Sequence, residues 1–108
     1  ADDYVVTPDG RLLGRLDHIF KGADHIVEAQ IVQHTPADIV VRVVPGPRYS
    51  PKDGEHVRHN LLMRTGSGMR VSVEEVDSIP RAKNGKFRAV VSHCAGDWSL
   101  RAVGAAGD

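Results

Sequence analysis

Apolar residues in this chain fall in short runs set apart by Gly, Pro and Asp, and a single window carries a helical period. Tyr4-Val5-Val6 and Arg11-Leu12-Leu13 flank Thr7-Pro8-Asp9-Gly10, where Pro8 presets a tight turn and Gly10 suits its left-handed position. The pattern predicts a hairpin of Tyr4–Val6 with Arg11–Leu13. The stretch from Arg15 to Lys21 then reads as a short extended segment closed by Gly22. The runs HIVEAQIVQH and DIVVRVV are rich in β-branched residues, and Thr35-Pro36-Ala37 separates them with turn chemistry. They are expected to pair antiparallel over about residues 26–33 and 39–44.

The helical window opens at Ser50. This residue can cap, Pro51 suits the first helical position, and Asp53 stands three residues after the cap, as in a capping box. Val57, Leu61 and Leu62 form a narrow apolar face, and Gly66 ends the window, so the helix should lie on a sheet with most of its surface wet. Residues 69–76 are expected as a further strand and 86–92 as a last short extended piece. Between them Pro80 and Gly85 exclude a regular helix and mark a mobile loop. The order predicts an α+β domain: a small mixed sheet of about three strands with one or two helices, preceded by a β-hairpin. Residues 1–16 would form the hairpin, 17–101 the body, and 102–108 a disordered tail.

With 108 residues there is room for one domain, which buries roughly 65% of its unfolded surface. Lys+Arg and Asp+Glu balance at 14 each, which removes the net field that nucleic acid or an anionic membrane would require. No apolar run approaches the ~20 residues that span a bilayer, and the N-terminus carries no signal pattern. The single Cys94 excludes an internal disulfide and fits a reducing compartment, so the cytoplasm is expected. Ala1 stands abruptly before Asp2-Asp3-Tyr4, as if the chain were part of something larger.

Candidate chemistry is sparse. His56 and His59 share a helical face, yet no Cys or carboxylate pattern completes a metal site, and an exposed surface is the expected role. His93 and Cys94 are adjacent, so their side chains diverge in a strand and make a poor catalytic pair. The Gly-containing loops lack phosphate-cradle spacing. What remains is Ile79-Pro80-Arg81-Ala82-Lys83-Asn84-Gly85-Lys86-Phe87-Arg88, a loop that carries a Gly-Lys step among other basic residues.

Taken together with Gly14-Arg15-Leu16-Asp17-His18-Ile19-Phe20-Lys21-Gly22, this loop resembles motifs of the adenylate-forming (AMP-forming) ligase superfamily. The resemblance is to its small C-terminal lid. It covers about residues 2–93 and is nearest to the phenylacetate–CoA ligase branch, which includes capsular-polysaccharide-type ligases and synthetases that adenylate a deazaflavin coenzyme. The resemblance implies that Lys86 is the catalytic lysine of carboxylate adenylation, with Gly85, Arg81 and Arg88 supporting its loop. It implies that Arg15 meets the nucleotide and that Asp17 is the hinge about which the lid rotates between two states. Lys21 and Gly22 would face coenzyme A in the second state.

ATP and coenzyme A are the implied cofactors, with Mg²⁺ and the carboxylic acid substrate held mainly by a large N-terminal adenylation domain. The isolated lid is then expected to be inactive and to expose the surface that faced that domain, through which it could form a homodimer. Three features depart from the family pattern. Arg88 follows Lys86 at the second position where many members carry arginine one later, the acidic helix after the hinge is shortened, and Lys83 is a second lysine in the loop. The alternative is a free-standing α+β binding or regulatory module without catalysis.

Overall fold

A computed structural model of the chain describes residues 4–94. The expected tail, 102–108, lies outside them. The chain folds as a two-stranded hairpin, β1 (Val5–Val6) with β2 (Leu12–Leu13), against an α+β body. That body is one mixed four-stranded sheet and one long helix. β3 (Ile26–Thr35) and β4 (Asp38–Pro45) pair antiparallel, with Ile31 opposite Val41 and Gln33 opposite Ile39. The helix α1 (Pro51–Thr65) crosses from β4 to β5 (Arg70–Glu75), which therefore lies parallel to β4. β6 (Val90–Ser92) completes the order β5-β4-β3-β6, parallel to β3 at the opposite edge.

The hairpin, the β3–β4 pair, the helix and β5 stand where the residue pattern places them. The sheet has four strands rather than about three, because the short apolar run Val90-Val91 finds an open edge of β3. Backbone donation continues past the ladder ends, from Ile31 N to Ala89 O at 2.8 Å and from His93 N to Gln33 O at 3.0 Å.

The start of α1 follows its sequence. Pro51 is at the first helical position, and the Ser50 backbone N–H donates to Asp53 Oδ2 at 2.8 Å. Val57 and Leu61, one turn apart, are fully buried against Ile39, Val41, Val43 and Val71. Burying two such side chains stabilises the fold by about 1.5–3 kcal/mol each.

The segment after the hairpin is not extended. Residues Leu16–Phe20 form a 3-10 helix entered through Arg15, whose φ of 54° and ψ of 48° lie in the left-handed region. Leu16 and Ile19 stand three apart, so they eclipse on one face of such a helix, and both are buried in the core. Burial of that face outweighs the extended tendency of Ile19 and Phe20.

Candidate functional site

One row of α1 holds the stretch 14–22 in place. His56, Asn60 and Arg64 recur every fourth residue and therefore line one side of the helix. Each donates to a backbone carbonyl of that stretch. His56 Nε2 meets Lys21 O at 3.0 Å, Asn60 Nδ2 meets Ile19 O at 2.9 Å, and Arg64 reaches Gly14 O at 2.9 Å and Arg15 O at 3.2 Å. A carbonyl only accepts, so His56 carries its proton on Nε2. A short 3-10 helix leaves its last carbonyls without an internal partner, and Asn60 supplies a donor to one of them, Ile19 O.

Arg15 and Asp17 are both exposed, and the Asp17 carboxylate pairs with no described residue. Arg15 is the one non-glycine with positive φ among the described residues, a conformation that costs about 1–2 kcal/mol. Lys21 is exposed. Gly22 follows it with φ of 85°, which the backbone favours for glycine, and a Cβ there would sit 3.1 Å from His56 Nε2, a tight contact.

The loop before β6 is built around a tight reversal. Gly85 N donates to Ala82 O at 2.8 Å and Ala82 N to Lys86 O at 2.9 Å, while Gly85 takes φ of 81°. The Asn84 side chain accepts from Lys86 N at 3.0 Å, which explains the Asn-Gly pair at this point. Arg81 ties the loop to the sheet: Nη2 meets Glu28 Oε2 at 2.6 Å, Nη1 meets Oε1 at 3.2 Å, and the guanidinium lies 4.6 Å over the Phe87 ring. The hydrogen bond from Arg81 holds the Glu28 carboxyl below its usual range. The Lys83 and Lys86 side chains are exposed, and neither ammonium pairs with a described residue. The Arg88 carbonyl accepts from Gln30 Nε2 at 2.9 Å, and its side chain is exposed.

The two stretches singled out in the sequence meet. A groove of about 510 Å³ is lined by Gly14, Arg15 and Asp17 from one and by Phe87 from the other, with Tyr4 and Ala89 from the flanking residues. A second groove, of about 560 Å³, shares no lining residue with the first and runs between Lys21, Gly22 and the His56–Arg64 row. Lys86 lines neither groove. It projects from the reversal one residue before Phe87.

Asn60 and Arg64 did not stand out in the sequence, and His56 stood out for a different chemistry. The available signal was polar recurrence every fourth residue along one side of the helix. Among the described residues, no group of three His, Cys, Asp or Glu side chains is placed to hold a metal ion. No helix there is long and apolar enough to cross a membrane.

Comparison with known proteins agrees with this geometry in fold. The family described as the CapK C-terminal domain matches residues 5–93. Among solved structures, acetoacetyl-CoA synthetase from Streptomyces lividans matches with a TM-score of 0.53 at 15% identity. The match covers 79% of this chain and 14% of that one, so the chain spans a small part of that protein's length. No curated protein matches at the level of sequence.

Proposed function

This chain belongs to the CapK C-terminal domain family, and from that premise we propose that it is the C-terminal domain of an ATP-dependent, AMP-forming carboxylate–CoA ligase of the phenylacetate–CoA ligase type. The observation that carries the reading is the loop 82–86, which presents an unpaired lysine beside the groove where Arg15 and Asp17 meet Phe87. Acetoacetyl-CoA synthetase, whose fold this chain shares over part of its length, carries a CoA-dependent synthesis in its name.

In the proposed first step a carboxylate oxygen of the acid attacks the α-phosphorus of ATP, and pyrophosphate leaves with the electron pair of the broken P–O bond. The Lys86 ammonium bridges the entering oxygen and an α-phosphate oxygen, offsetting charge that builds in the transition state. Arg15 binds the nucleotide from the same side. Mg²⁺ would be held mainly by the large N-terminal adenylation domain and would supply positive charge to the departing pyrophosphate.

In the second step the thiolate of coenzyme A attacks the acyl carbon and AMP leaves. Rotation about Asp17 withdraws Lys86 and brings the Lys21–Gly22 turn to the pantetheine arm. Two separate grooves, one spanning both motifs at Arg15, Asp17 and Phe87 and the other beside the Lys21–Gly22 turn, are what such an exchange of faces requires.

The test is ATP–pyrophosphate exchange by the full-length protein that carries this domain, across aryl, fatty and amino-acid-like carboxylates. Exchange that depends on one class of acid, followed by AMP release on adding coenzyme A, supports the reading. No exchange with any acid contradicts it and favours a binding module.

A further inference from the structure

We propose that Arg64 is a positioning residue for Arg15: it fixes the backbone on both sides of the Arg15 Cα and thereby aims that side chain at the nucleotide. The inference rests on the reading of Arg15 given above. The Gly14 carbonyl belongs to the peptide plane before Arg15, and the Arg15 carbonyl belongs to the plane after it. Those two planes define φ and ψ of Arg15, and with them the direction of its Cα–Cβ bond.

One guanidinium grips both carbonyls, Nη2 at 2.9 Å from Gly14 O and Nη1 at 3.2 Å from Arg15 O. The residue so gripped is the one non-glycine in the left-handed region among the described residues. A backbone in that region persists only where its surroundings over-determine it. Arg64 comes from α1, whose Leu61 is fully buried in the core, so the grip is anchored to the rigid body of the domain. A planar fork is needed: a lysine ammonium at this position can hold one carbonyl but does not present two parallel donors.

The test is a double-mutant cycle on the full-length protein, read as KM for ATP in the exchange reaction. KM does not fall with the fraction of unfolded enzyme, so partial misfolding does not mimic the effect. Arg15→Ala and Arg64→Met should each raise KM for ATP by roughly tenfold, the loss of about one charge-assisted hydrogen bond, with KM for the acid unchanged. Arg64→Met should add nothing in the Arg15→Ala background, and Arg64→Lys should restore part of the loss.

An Arg64→Met effect on KM for ATP that persists in the Arg15→Ala background overturns the proposal, as does a change in melting temperature alone. An inert Arg15→Ala overturns the role given to Arg15 and this inference with it. If the wild type shows no exchange, the functional reading has failed, and the grip is judged by hydrogen exchange of residues 14–22 followed by mass spectrometry. Exchange there unchanged by Arg64→Met overturns the grip; faster exchange upholds it.

Discussion

Gln33 in β3 and Val6 in β1 exchange two hydrogen bonds, Val6 N–H donating to Gln33 Oε1 at 2.8 Å and Gln33 Nε2 donating to Val6 O at 2.6 Å. The side-chain amide thus stands in for a strand's peptide group and fastens the hairpin to the sheet. Gln33 is fully buried, and its Oε1 also accepts from Ser92 Oγ at 2.8 Å. Substituting Gln33→Leu keeps the volume but leaves the Val6 peptide groups buried without partners, each at about 1–3 kcal/mol. Urea unfolding should therefore report a loss of about 2–6 kcal/mol. A loss below about 0.5 kcal/mol would mean that the hairpin does not rely on this contact.

Gly22 and Gly85 share a positive φ but differ in surroundings: His56 lies 3.1 Å from a Cβ at Gly22, and nothing lies within 4 Å of one at Gly85. Alanine at either position meets the backbone penalty of about 1–2 kcal/mol. Gly22→Ala must also push the His56 ring by a few tenths of an ångström against its contact with the Lys21 carbonyl, so it should destabilise more than Gly85→Ala. Equal losses in thermal unfolding would show that the His56 contact contributes nothing.

The Arg81–Glu28 pair is exposed, and solvent and salt screen such pairs so that they add little to global stability. Its effect should be local. Arg81→Met is expected to leave the unfolding midpoint nearly unchanged while trypsin cleavage after Lys83 and Lys86 accelerates, because the loop loses its tie to β3. Unaltered cleavage would place the restraint elsewhere, in the Asn84 and Ala82 hydrogen bonds.

Acid should act on the start of α1. The Ser50 backbone N–H holds the Asp53 carboxyl below its usual range, and His25 adds to the effect. A carboxyl with a depressed folded value contributes stability that is present above its unfolded value, ~3.9, and is lost as pH falls through the folded one. Stability should thus decline below about pH 4, and Asp53→Ala should decline less steeply over that range. Parallel acid limbs in the two proteins would remove Asp53 from the account.

Much of this architecture is legible in the residue pattern because its signals are local. Pro8-Asp9-Gly10 makes the hairpin turn, Ser50-Pro51-x-Asp53 opens the helix, and β-branched runs mark β3 and β4. The 3-10 helix was hidden because five residues hold little periodicity, and only the Leu16–Ile19 spacing betrays it. β6 is three residues long and gains its identity from an edge far away in sequence. The loop lysines and the Gly14–Gly22 stretch were legible as motifs. The row that holds that stretch was not, since His56, Asn60 and Arg64 on a polar face look solvated until another backbone lies across them.

The most direct test of the central claim compares Lys86→Ala with Lys83→Ala in the full-length protein by acid-dependent pyrophosphate exchange. The account predicts that Lys86→Ala lowers the exchange rate on the order of 10²–10³-fold, the usual loss for one preorganised charge-stabilising donor, while Lys83→Ala stays near wild type. Exchange that survives in Lys86→Ala and collapses in Lys83→Ala would contradict the assignment of Lys86. Exchange that survives in both would contradict the loop's catalytic role altogether.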